Sequence, residues 1–305
     1  TYKDYTEVDL PSRHTVKYVY SRLVEDLENA KKLMSDNYNK SINSRLNKKS
    51  ISAILSRVYL TMGEDAKAVS AATDAIAGDG SDIASISDFS KIFTTSMEVP
   101  EVLFRIAITA DNGYLPGNDW GQGSESSYIA NYSVTYSLNE LYKSTDIRRS
   151  QIKLVNGGAY NVVWKYNNGG KSTGLIDIPI IRASEVYLTR AEANYNLKNY
   201  DDALSDLNLV KERRYSDYEE GTESGAALEK EIQLQRRLEL AFEGHRFFDL
   251  KRRHEDVQRD GKGFMADGSG VPSSTQHVSA DSPYYVMPIP QSEIDANKNM
   301  VQNKY

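Results

Sequence analysis

The sequence predicts a mainly α-helical fold made of tetratricopeptide-like helical hairpins, with long loops and small β-hairpins between them. Apolar residues recur at steps of three and four along several segments, which is the period of an amphipathic helix. Two of these segments place small residues where paired helices approach closely. The stretch between them alternates polar and apolar residues, or is rich in Gly and Asn. We expect residues 1–305 to form a single unit.

Residues 14–77 are predicted to be a helical hairpin region. The helix expected from His14 to Met34 carries one apolar face, formed by Val16, Tyr20, Leu23, Leu27, Ala30 and Met34. A second helix is expected from Lys48 to Met62 and, after Gly63, a third from Asp65 to Ala77. Small residues on this pair let the two backbones pack closely; they are Ala68, Ala72 and Ala75, which follow Tyr59.

The same pattern recurs at residues 185–214, within a C-terminal helical region expected at 181–254. Ala191, Ala193 and Tyr195 lie on the first helix, a turn covers 199–202, and Ala203, Leu207 and Val210 lie on the return helix. Ala68 and Ala203 are 135 residues apart. This separation argues against neighbouring units of a tandem array.

Residues 98–180 are predicted to be a loop and β-hairpin insert. Residues 101–108 alternate as a strand does, with Val102, Phe104, Ile106 and Ile108 on one face. A long loop is expected at 110–128 and a short helix at 137–142. A β-hairpin follows, from strand 151–155 through a turn at 156–158 to a strand with Tyr160, Val162, Trp164 and Tyr166 on one face, closed by a turn at 167–170.

The C-terminal part is predicted to contain one charged helix and a tail. The helical pattern runs without interruption from Leu228 to about Arg253. Residues 255–305 are expected to be a surface loop, rich in Gly, Ser and Asp, followed by a tail whose apolar stretch 285–290 is packed down.

Composition excludes several classes of function. The net charge of −6 without a basic block argues against nucleic-acid binding, and no apolar run is long enough to span a membrane. With no Cys, and only four His at unsuitable spacing, we expect neither a metal nor a cofactor. The stretch Gly170-Lys171-Ser172 is not a phosphate loop, because Lys165 stands where its first Gly would be needed.

Tyrosine is unusually frequent: the chain has 21 Tyr against 7 Phe and 2 Trp. Tyr and Trp rings present flat apolar faces with a polar edge, which suits stacking against sugar rings, while amides and carboxylates bind hydroxyls. The loop at 110–128 has both kinds of group, so we expect residues 98–180 to be the ligand side. The candidate ligand-binding residues are Trp120, Tyr114, Asn118, Asp119, Gln122, Tyr128 and Trp164. An anchoring role of Trp120, and burial of Trp164, remain alternatives.

The charged segment 235–252 carries a resemblance to a known family. Its sequence, QRRLELAFEGHRFFDLKR, closely resembles the C-terminal signature of the SusD/RagB family of outer-membrane nutrient-binding lipoproteins. On a continuous helix its charges lie at steps of three and four, so we expect a structural ion network along one face, formed by Arg236, Glu239, Glu243 and Arg246, with Asp249 in the same motif. Gln235 stands where the family usually has an acid.

Three further stretches resemble the same family in the same order. They are residues 178–193 (IPIIRASEVYLTRAEA), residues 287–303 with MPIPQSEIDAN, and residues 137–148, a short helix leading to Asp146 and Arg148. The tail has Lys298 where the family usually has Pro. The resemblance covers essentially the whole chain.

The resemblance implies a function in nutrient uptake. Members of this family look like cell-surface proteins that capture oligosaccharides, or in some cases peptides, for a SusC-like TonB-dependent transporter, without catalysis. We therefore expect a glycan-binding protein at the outer membrane, attached only through a lipid anchor outside this chain. Two other functions stay open from the residues: a helical-repeat adaptor or peptide binder, and a glycosidase, since sequence spacing cannot reveal a facing pair of carboxylates.

Overall fold

The computed structural model describes residues 10–34, 43–78, 82–94, 101–109, 111, 113–167 and 174–304. Its elements, in chain order, are α1 Val16–Leu33, α2 Lys48–Met62, α3 Asp65–Ile76, β1 Val102–Ile106, β2 Gly121–Ser124, β3 Ser127–Ala130, α4 Tyr136–Asn139, β4 Ile152–Val155, β5 Tyr160–Val163, β6 Ile178–Arg182, α5 Ala183–Asn196, α6 Tyr200–Glu212, α7 Gly225–Glu239, α8 Arg246–Arg252, β7 Val257–Gln258, β8 His277–Val278 and α9 Gln291–Ala296. The predicted mainly α-helical class is confirmed.

The first hairpin forms because its ends are capped and its inner faces are small. The side chain of Asn47 caps the start of α2 by accepting a hydrogen bond from the backbone N–H of Ser50. Gly63 ends α2 in the left-handed conformation, at a φ of 73°. Ala53, Ala72 and Ala75 are fully buried where α2, α3 and the start of α5 meet. Ala72 and Ala75, together with the equally buried Ala68, are the positions where the tetratricopeptide-like pattern predicts close packing.

The second hairpin, α5 and α6, packs directly against the first. Val186 on α5 shares a core cluster with Ala72 and Ala75 on α3. Asn196 at the end of α5 donates a hydrogen bond of 3.0 Å to Asp65 at the start of α3. The prediction from the 135-residue separation was therefore wrong, because β6 returns the chain to the first hairpin before α5 begins.

The strand pattern predicted at 101–108 was wrong in its faces. β1 pairs antiparallel with β6, and the pairing register shifts twice, between Val102 and Phe104 and between Phe104 and Arg105. These irregularities break the two-residue period. As a result Val102 and Leu103 are both fully buried, while Ile106, expected on the same face as Val102, is 48% exposed.

The insert contains one β-hairpin that the sequence predicts and one that it does not. β4 and β5 form the predicted antiparallel hairpin, from the pair Ile152–Val163 to the pair Val155–Tyr160. β2 and β3 form a second hairpin inside the segment expected to be a loop. The predicted closing turn at 167–170 lies largely outside the described residues, as does the rejected phosphate loop at 170–172.

The charged segment is broken in the middle, contrary to the prediction of a continuous helix. α7 ends at Glu239 and α8 begins at Arg246, and residues 240–245 form a turn that we call the signature turn. Phe242 and Gly244 in this turn have φ values of 67° and 82°. Two carbonyls of this turn accept hydrogen bonds from the insert: that of Ala241 from Lys165 Nζ at 2.9 Å, and that of Phe242 from the Tyr166 hydroxyl at 2.8 Å.

The tail is packed down only in part. Tyr285 is buried, but Val286 is 41% exposed and Met287 74% exposed, and Pro288 and Pro290 are exposed too, so the expectation for 285–290 was wrong for these four. The tail instead holds the start of the described chain, with Asn297 Nδ2 donating to the carbonyl of Pro11 at 2.9 Å. In the part of the chain that the structure describes, no helix is both long and apolar enough to cross a membrane.

Candidate ligand-binding cleft

A cleft of about 600 Å³ lies where the insert, the first helices and the signature turn meet. We call it the tryptophan cleft. Its lining includes Tyr114, Pro116, Asp119 and Trp120 from the insert, Tyr20, Leu23, Arg57, Val58 and Thr61 from α1 and α2, and Phe242, Glu243, Gly244, His245, Phe248 and Asp249 from the signature turn and α8. An apolar wall with a few polar groups is the usual composition of a small-molecule site.

Trp120 is held by three other rings. Its ring stacks on Tyr166 with centroids 5.5 Å apart and 25° between the planes, and it meets Phe242 at 5.9 Å and Tyr132 at 5.7 Å in edge-to-face geometry. It is half-buried and also lines the cleft. Trp120 therefore anchors the insert and contributes to the cleft wall at the same time.

The short turn Pro116–Asp119 positions Trp120, and it depends on one close approach. Gly117 packs so tightly that a Cβ atom there would overlap the carbonyl oxygen of Tyr166 and the Cα of Gly174. The backbone N–H of Gly117 also donates to the carbonyl of Gly174 at 3.0 Å. Only glycine fits this contact, which holds the turn before Trp120 against the chain between β5 and β6.

Tyr114 and Asp119 form a polar pair at the cleft. The Tyr114 hydroxyl donates a hydrogen bond to Asp119 Oδ2, and this bond raises the pKa of Tyr114. The backbone carbonyl of Asp119 accepts from Asn131 Nδ2 at 3.1 Å. Because both side chains are exposed, their oxygens are available to a ligand's hydroxyl groups.

The other predicted ligand-binding residues do not line this cleft. Asn118 is half-buried and packs its side chain on Gly174, and Gln122 is exposed on β2. Tyr128 is 4% exposed and packs against Trp164 at 5.5 Å, and burial raises the pKa of its hydroxyl. Trp164 is half-buried, with Lys153 Nζ 5.1 Å from its ring centroid. The structure thus brings together Tyr114, Asp119 and Trp120 from the predicted set.

The ring contacts of Trp120 with Phe242 and Tyr166 were not predicted from the sequence. Phe242 was placed on a continuous helix and Tyr166 on a strand face shared with Tyr160 and Trp164. In the structure Tyr160 stacks on Phe264 instead, and Tyr166 lies beyond the end of β5, against Phe93 and Trp120. Gly244 was the available signal, since glycine often marks the end of a helix.

A buried ion cluster stabilises the signature turn, because Glu243 of the turn is one of its members. It contains four acids and four cations: Glu101, Asp146, Glu239 and Glu243 with Arg148, Lys165, Arg182 and Arg214. Glu239 accepts from Arg182 Nη1 and from Arg214 Nη2, both at 2.9 Å. Burial alone would raise the pKa of Glu239, but the charges of Arg214 and Arg182 hold it well below its ordinary value.

The charged motif does not pair along one helical face as predicted. Arg236 on α7 pairs with Asp249 on α8, Nε to Oδ2 at 2.9 Å, and Glu243 in the turn pairs with Arg182 at 2.7 Å. Arg246 is exposed and makes no ion pair with any described residue. The expected structural ion network is present for Arg236, Glu239, Glu243 and Asp249, but its arrangement along one helical face was wrong because the segment breaks between α7 and α8. Gln235, which replaces the family's usual acid, still accepts a hydrogen bond of 2.7 Å from Arg148.

The carboxylates deep in the tryptophan cleft are held in the ionised form. Burial would raise the pKa of Asp249, yet Arg236 and Arg252 bring it down to about 2. Burial would also raise the pKa of Glu243, but the charges of Arg182 and Lys165 lower it. Across the described ranges, no three His, Asp or Glu side chains are grouped so that they could hold a metal ion.

The fold and this cleft define a class of protein: a helical-hairpin scaffold that carries an aromatic cleft on an inserted loop region. The family comparison specifies the class further. Residues 108–305 match the model of the SusD family, and residues 2–60 match a model described as starch-binding associating with outer membrane. The chain belongs to the SusD family, as the signature motifs predicted.

Relatives with known names agree with this assignment. The chain is 32% identical over 171 residues to starch-binding protein SusD of Bacteroides thetaiotaomicron, a match that covers 52% of this chain and 28% of that protein. It is 25% identical over 350 aligned positions to SusD-like protein P2 of Formosa agariphila, which covers 98% of this chain and 67% of that protein. The chain therefore spans well under two thirds of the first relative.

Solved structures show the same fold. A SusD superfamily protein from Bacteroides thetaiotaomicron superposes with a TM-score of 0.81 at 27% identity, over 97% of this chain and 68% of the other. Surface glycan-binding protein A of the same species, solved in complex with laminarihexaose, superposes with a TM-score of 0.72 at 21% identity, over 97% of this chain and 73% of the other. The second likeness concerns the fold alone.

Proposed function

We propose that this chain binds an oligosaccharide in the tryptophan cleft, as part of an outer-membrane SusC/SusD-type uptake system, without cleaving it. The observation that carries the proposal is the half-buried ring of Trp120 at the wall of the cleft, next to the exposed Tyr114 and Asp119 oxygens. Membership of the SusD family, and the carbohydrate-binding names of relatives, support the choice of ligand.

The chemistry of the cleft suits a sugar. A pyranose ring has an apolar C–H face that packs on an aromatic ring and a rim of hydroxyls that need hydrogen-bond partners. Trp120 offers the ring. The Asp119 carboxylate offers an acceptor, and the Tyr114 hydroxyl, which donates its hydrogen to Asp119, offers its oxygen as a second acceptor. A cleft of about 600 Å³ is large enough for a short oligosaccharide.

Binding without hydrolysis fits the electrostatics. A glycosidase needs one carboxyl group with a raised pKa to protonate the leaving oxygen. Glu243 and Asp249, the buried acids of the cleft, have lowered pKa values and are engaged by Arg182 and Arg236. Neither is suited to donate a proton near neutral pH.

Calorimetric titration of neutral oligosaccharides tests the proposal. Trp120→Ala should weaken binding at least about tenfold, since it removes a large stacking surface. Trp120 also anchors the insert, so Tyr114→Phe provides a second test: it removes one hydroxyl from an exposed position and should weaken binding while the melting temperature stays unchanged.

Trp164→Ala is the matched control, because Trp164 is half-buried but does not line the cleft. Unchanged affinity in Trp120→Ala and Tyr114→Phe would refute the site. Absence of binding across a panel of plant, algal and host glycans would refute the ligand class. Turnover of a chromogenic glycoside would refute the non-catalytic function.

Cooperation with a SusC-like TonB-dependent transporter is the second part of the proposal. We expect a SusC-like transporter to be encoded next to this protein, and co-expression of the two should yield a complex that co-elutes in size-exclusion chromatography. Separate elution at micromolar concentration would count against the partnership and leave the binding proposal intact.

A peptide-binding function is the alternative that one feature favours. A groove of about 580 Å³ lies along the second hairpin, and its lining includes Tyr187, Arg190, Asp201 and Asp206. Helical-repeat proteins use such surfaces for extended partners. For this alternative, binding of a basic peptide should depend on Tyr187 and be unaffected by Trp120→Ala.

A further inference from the structure

A second cleft, of about 420 Å³, lies on the other side of the signature motif, between α7, the start of α8 and the segment 256–276. We call it the basic cleft. Its charged lining consists of four cations, Arg237, Arg246, Arg259 and Lys262, and two acids, Asp256 and Asp260. The local balance is therefore +2, in a chain whose net charge is −6.

The two arginines from the signature motif have no partner in the described part of the chain. Neither Arg237 nor Arg246 makes an ion pair or a side-chain hydrogen bond with a described residue. Burial lowers the pKa of Arg237, and burial followed by the charge of Arg237 lowers that of Arg246. Two partly desolvated like charges facing one cleft are unfavourable until an anion joins them.

The charge of Asp260 raises the pKa of Arg237, but less than burial lowers it, and neither acid of the cleft forms an ion pair with Arg237 or Arg246 because both accept other hydrogen bonds. Asp260 accepts from the backbone N–H groups of Ser137 at 3.1 Å and of Lys262 at 3.0 Å. Asp256 pairs with His277 Nε2 at 2.7 Å and accepts from the backbone of Ala280 at 2.8 Å. Their hydrogen bonds hold the loop in shape and leave the guanidinium groups open to a ligand.

The cleft also offers groups that suit the rest of a sugar. Gln276 Oε1 is buried at the wall of the basic cleft and has no hydrogen-bond partner among the described residues. It can therefore accept a hydrogen bond from a ligand. Phe264, which is 45% exposed, lines the basic cleft and also the wall of a neighbouring cleft of about 450 Å³ that includes Tyr160, Asn131 and Asn156. The ring of Phe264 is stacked on Tyr160 at 6.1 Å.

We propose that the basic cleft binds the acidic substituent of an oligosaccharide, a uronic-acid carboxylate or a sulfate ester, between Arg237 and Arg246, with the sugar ring against Phe264. Guanidinium groups bind planar carboxylates and sulfates through paired hydrogen bonds, and an adjacent aromatic ring distinguishes an acidic sugar from a free anion. The inference rests on the proposed glycan-binding function for the nature of the ligand, and it adds a second site and a charge preference.

The test compares matched acidic and neutral probes by calorimetric titration. The probes are trigalacturonate, galactotriose as its neutral counterpart, a sulfated galactotriose, and sodium sulfate alone. The wild type should bind trigalacturonate or sulfated galactotriose at least about tenfold more tightly than galactotriose, and raising the salt concentration should reduce this preference. The stronger of the two acidic probes identifies the substituent.

Arg237→Gln and Arg246→Gln should each weaken binding of the acidic probe about tenfold without changing the affinity for galactotriose. Arg149→Gln is the matched control, since Arg149 is an exposed arginine away from both clefts. Arg246→Lys should restore part of the affinity, which a purely structural role would not predict. Unchanged melting temperatures confirm that the variants are folded.

The outcomes separate this inference from the proposed function. Equal affinity for acidic and neutral probes, or acidic binding that survives both Gln variants, overturns the basic cleft while binding at Trp120 stands. Binding of sodium sulfate as strong as that of the acidic sugars overturns the saccharide assignment. Loss of acidic binding in Arg237→Gln, with galactotriose still bound in the tryptophan cleft, supports both.

Discussion

Glu239→Gln is expected to lower the free energy of unfolding by about 3–5 kcal/mol. Glu239 is fully buried and accepts four hydrogen bonds from three guanidinium groups. Its Oε1 is 2.9 Å from Arg182 Nη1 and from Arg214 Nη2, and its Oε2 is 2.9 Å from Arg214 Nε and 3.4 Å from Arg148 Nη1. Glutamine has almost the same shape, so the change removes charge and an acceptor without leaving a cavity.

The magnitude follows from what remains buried. The ion cluster has four acids and four cations, so the variant leaves one positive charge in excess in the protein interior. The glutamine amide also turns its N–H groups toward one or two arginine N–H groups. Two donors cannot form a hydrogen bond, and each charge-assisted hydrogen bond lost costs about 1.5–3 kcal/mol. Against a typical total stability of about 5–15 kcal/mol, the loss is large.

Urea unfolding at pH 7, followed by circular dichroism, measures this effect. Glu212→Gln is the control, since Glu212 is exposed at the end of α6, and it should change the free energy of unfolding by less than about 0.5 kcal/mol. The double variant Glu239→Gln/Arg214→Gln restores the charge balance, so its cost should be smaller than the sum of the two single costs. A loss below about 1 kcal/mol in Glu239→Gln would refute the reasoning.

Two further predictions concern acid stability and the Trp120 turn. Burial would raise the pKa values of Asp249 and Glu185, but neighbouring arginines bring both to about 2, below their unfolded values; the unfolded chain therefore takes up protons first, and stability should fall as pH drops from about 5 toward 2. Melting temperatures across that range measure it, and a flat profile would contradict the pairing. Gly117→Ala should lower the melting temperature and alter tryptophan fluorescence, because a Cβ there overlaps the backbone of Tyr166. Gly244→Ala, which has free space but a φ of 82°, should cost only about 1 kcal/mol; an equal cost for the two variants would show that the overlap is unimportant.

The helices are predictable from sequence because their signals are local. α2 has the predicted bounds, Lys48–Met62, since Asn47 and Gly63 mark its ends by hydrogen bonding and backbone conformation. The small residues of the two hairpins are buried as expected, because a close approach of two helices requires them. In these segments the pattern over a few residues already contains the structural information.

The signature turn and the faces of β1 could not be predicted, because distant residues determine them. Lys165 and Tyr166 donate to carbonyls of the turn from positions 76 residues earlier in the chain. The register shifts of β1 depend on its pairing with β6. A helical period or a strand alternation depends only on residues that are close in sequence. The pattern therefore continues through the signature turn and through the register shifts of β1 and does not predict either irregularity.

The candidate cleft shows the same division. The composition of the insert predicted a set of ligand-binding residues, and three of them, Tyr114, Asp119 and Trp120, line one cleft. It could not separate these from Tyr128, which is buried, because the difference depends on which ring packs against β4 and β5. The partner rings of Trp120 come from the end of β5 and from the signature turn.

The signature turn connects the ion cluster to both clefts. Arg236 and Arg237 are neighbours on α7 but line different clefts: Arg236 pairs with Asp249 at the tryptophan cleft, and Arg237 lines the basic cleft. Beyond Glu239 the turn places Phe242 against Trp120 and then Arg246 in the basic cleft.

Because Glu243 within this turn is held by Lys165 and Arg182, the position of the turn depends on the same buried charges as the stability. Weakening the cluster should therefore move both clefts together. In Glu239→Gln, affinity for a neutral sugar and for an acidic sugar should both decline, whereas Trp120→Ala and Arg246→Gln should each affect one probe. Selective loss of a single affinity in Glu239→Gln would show that the turn is held independently of the cluster.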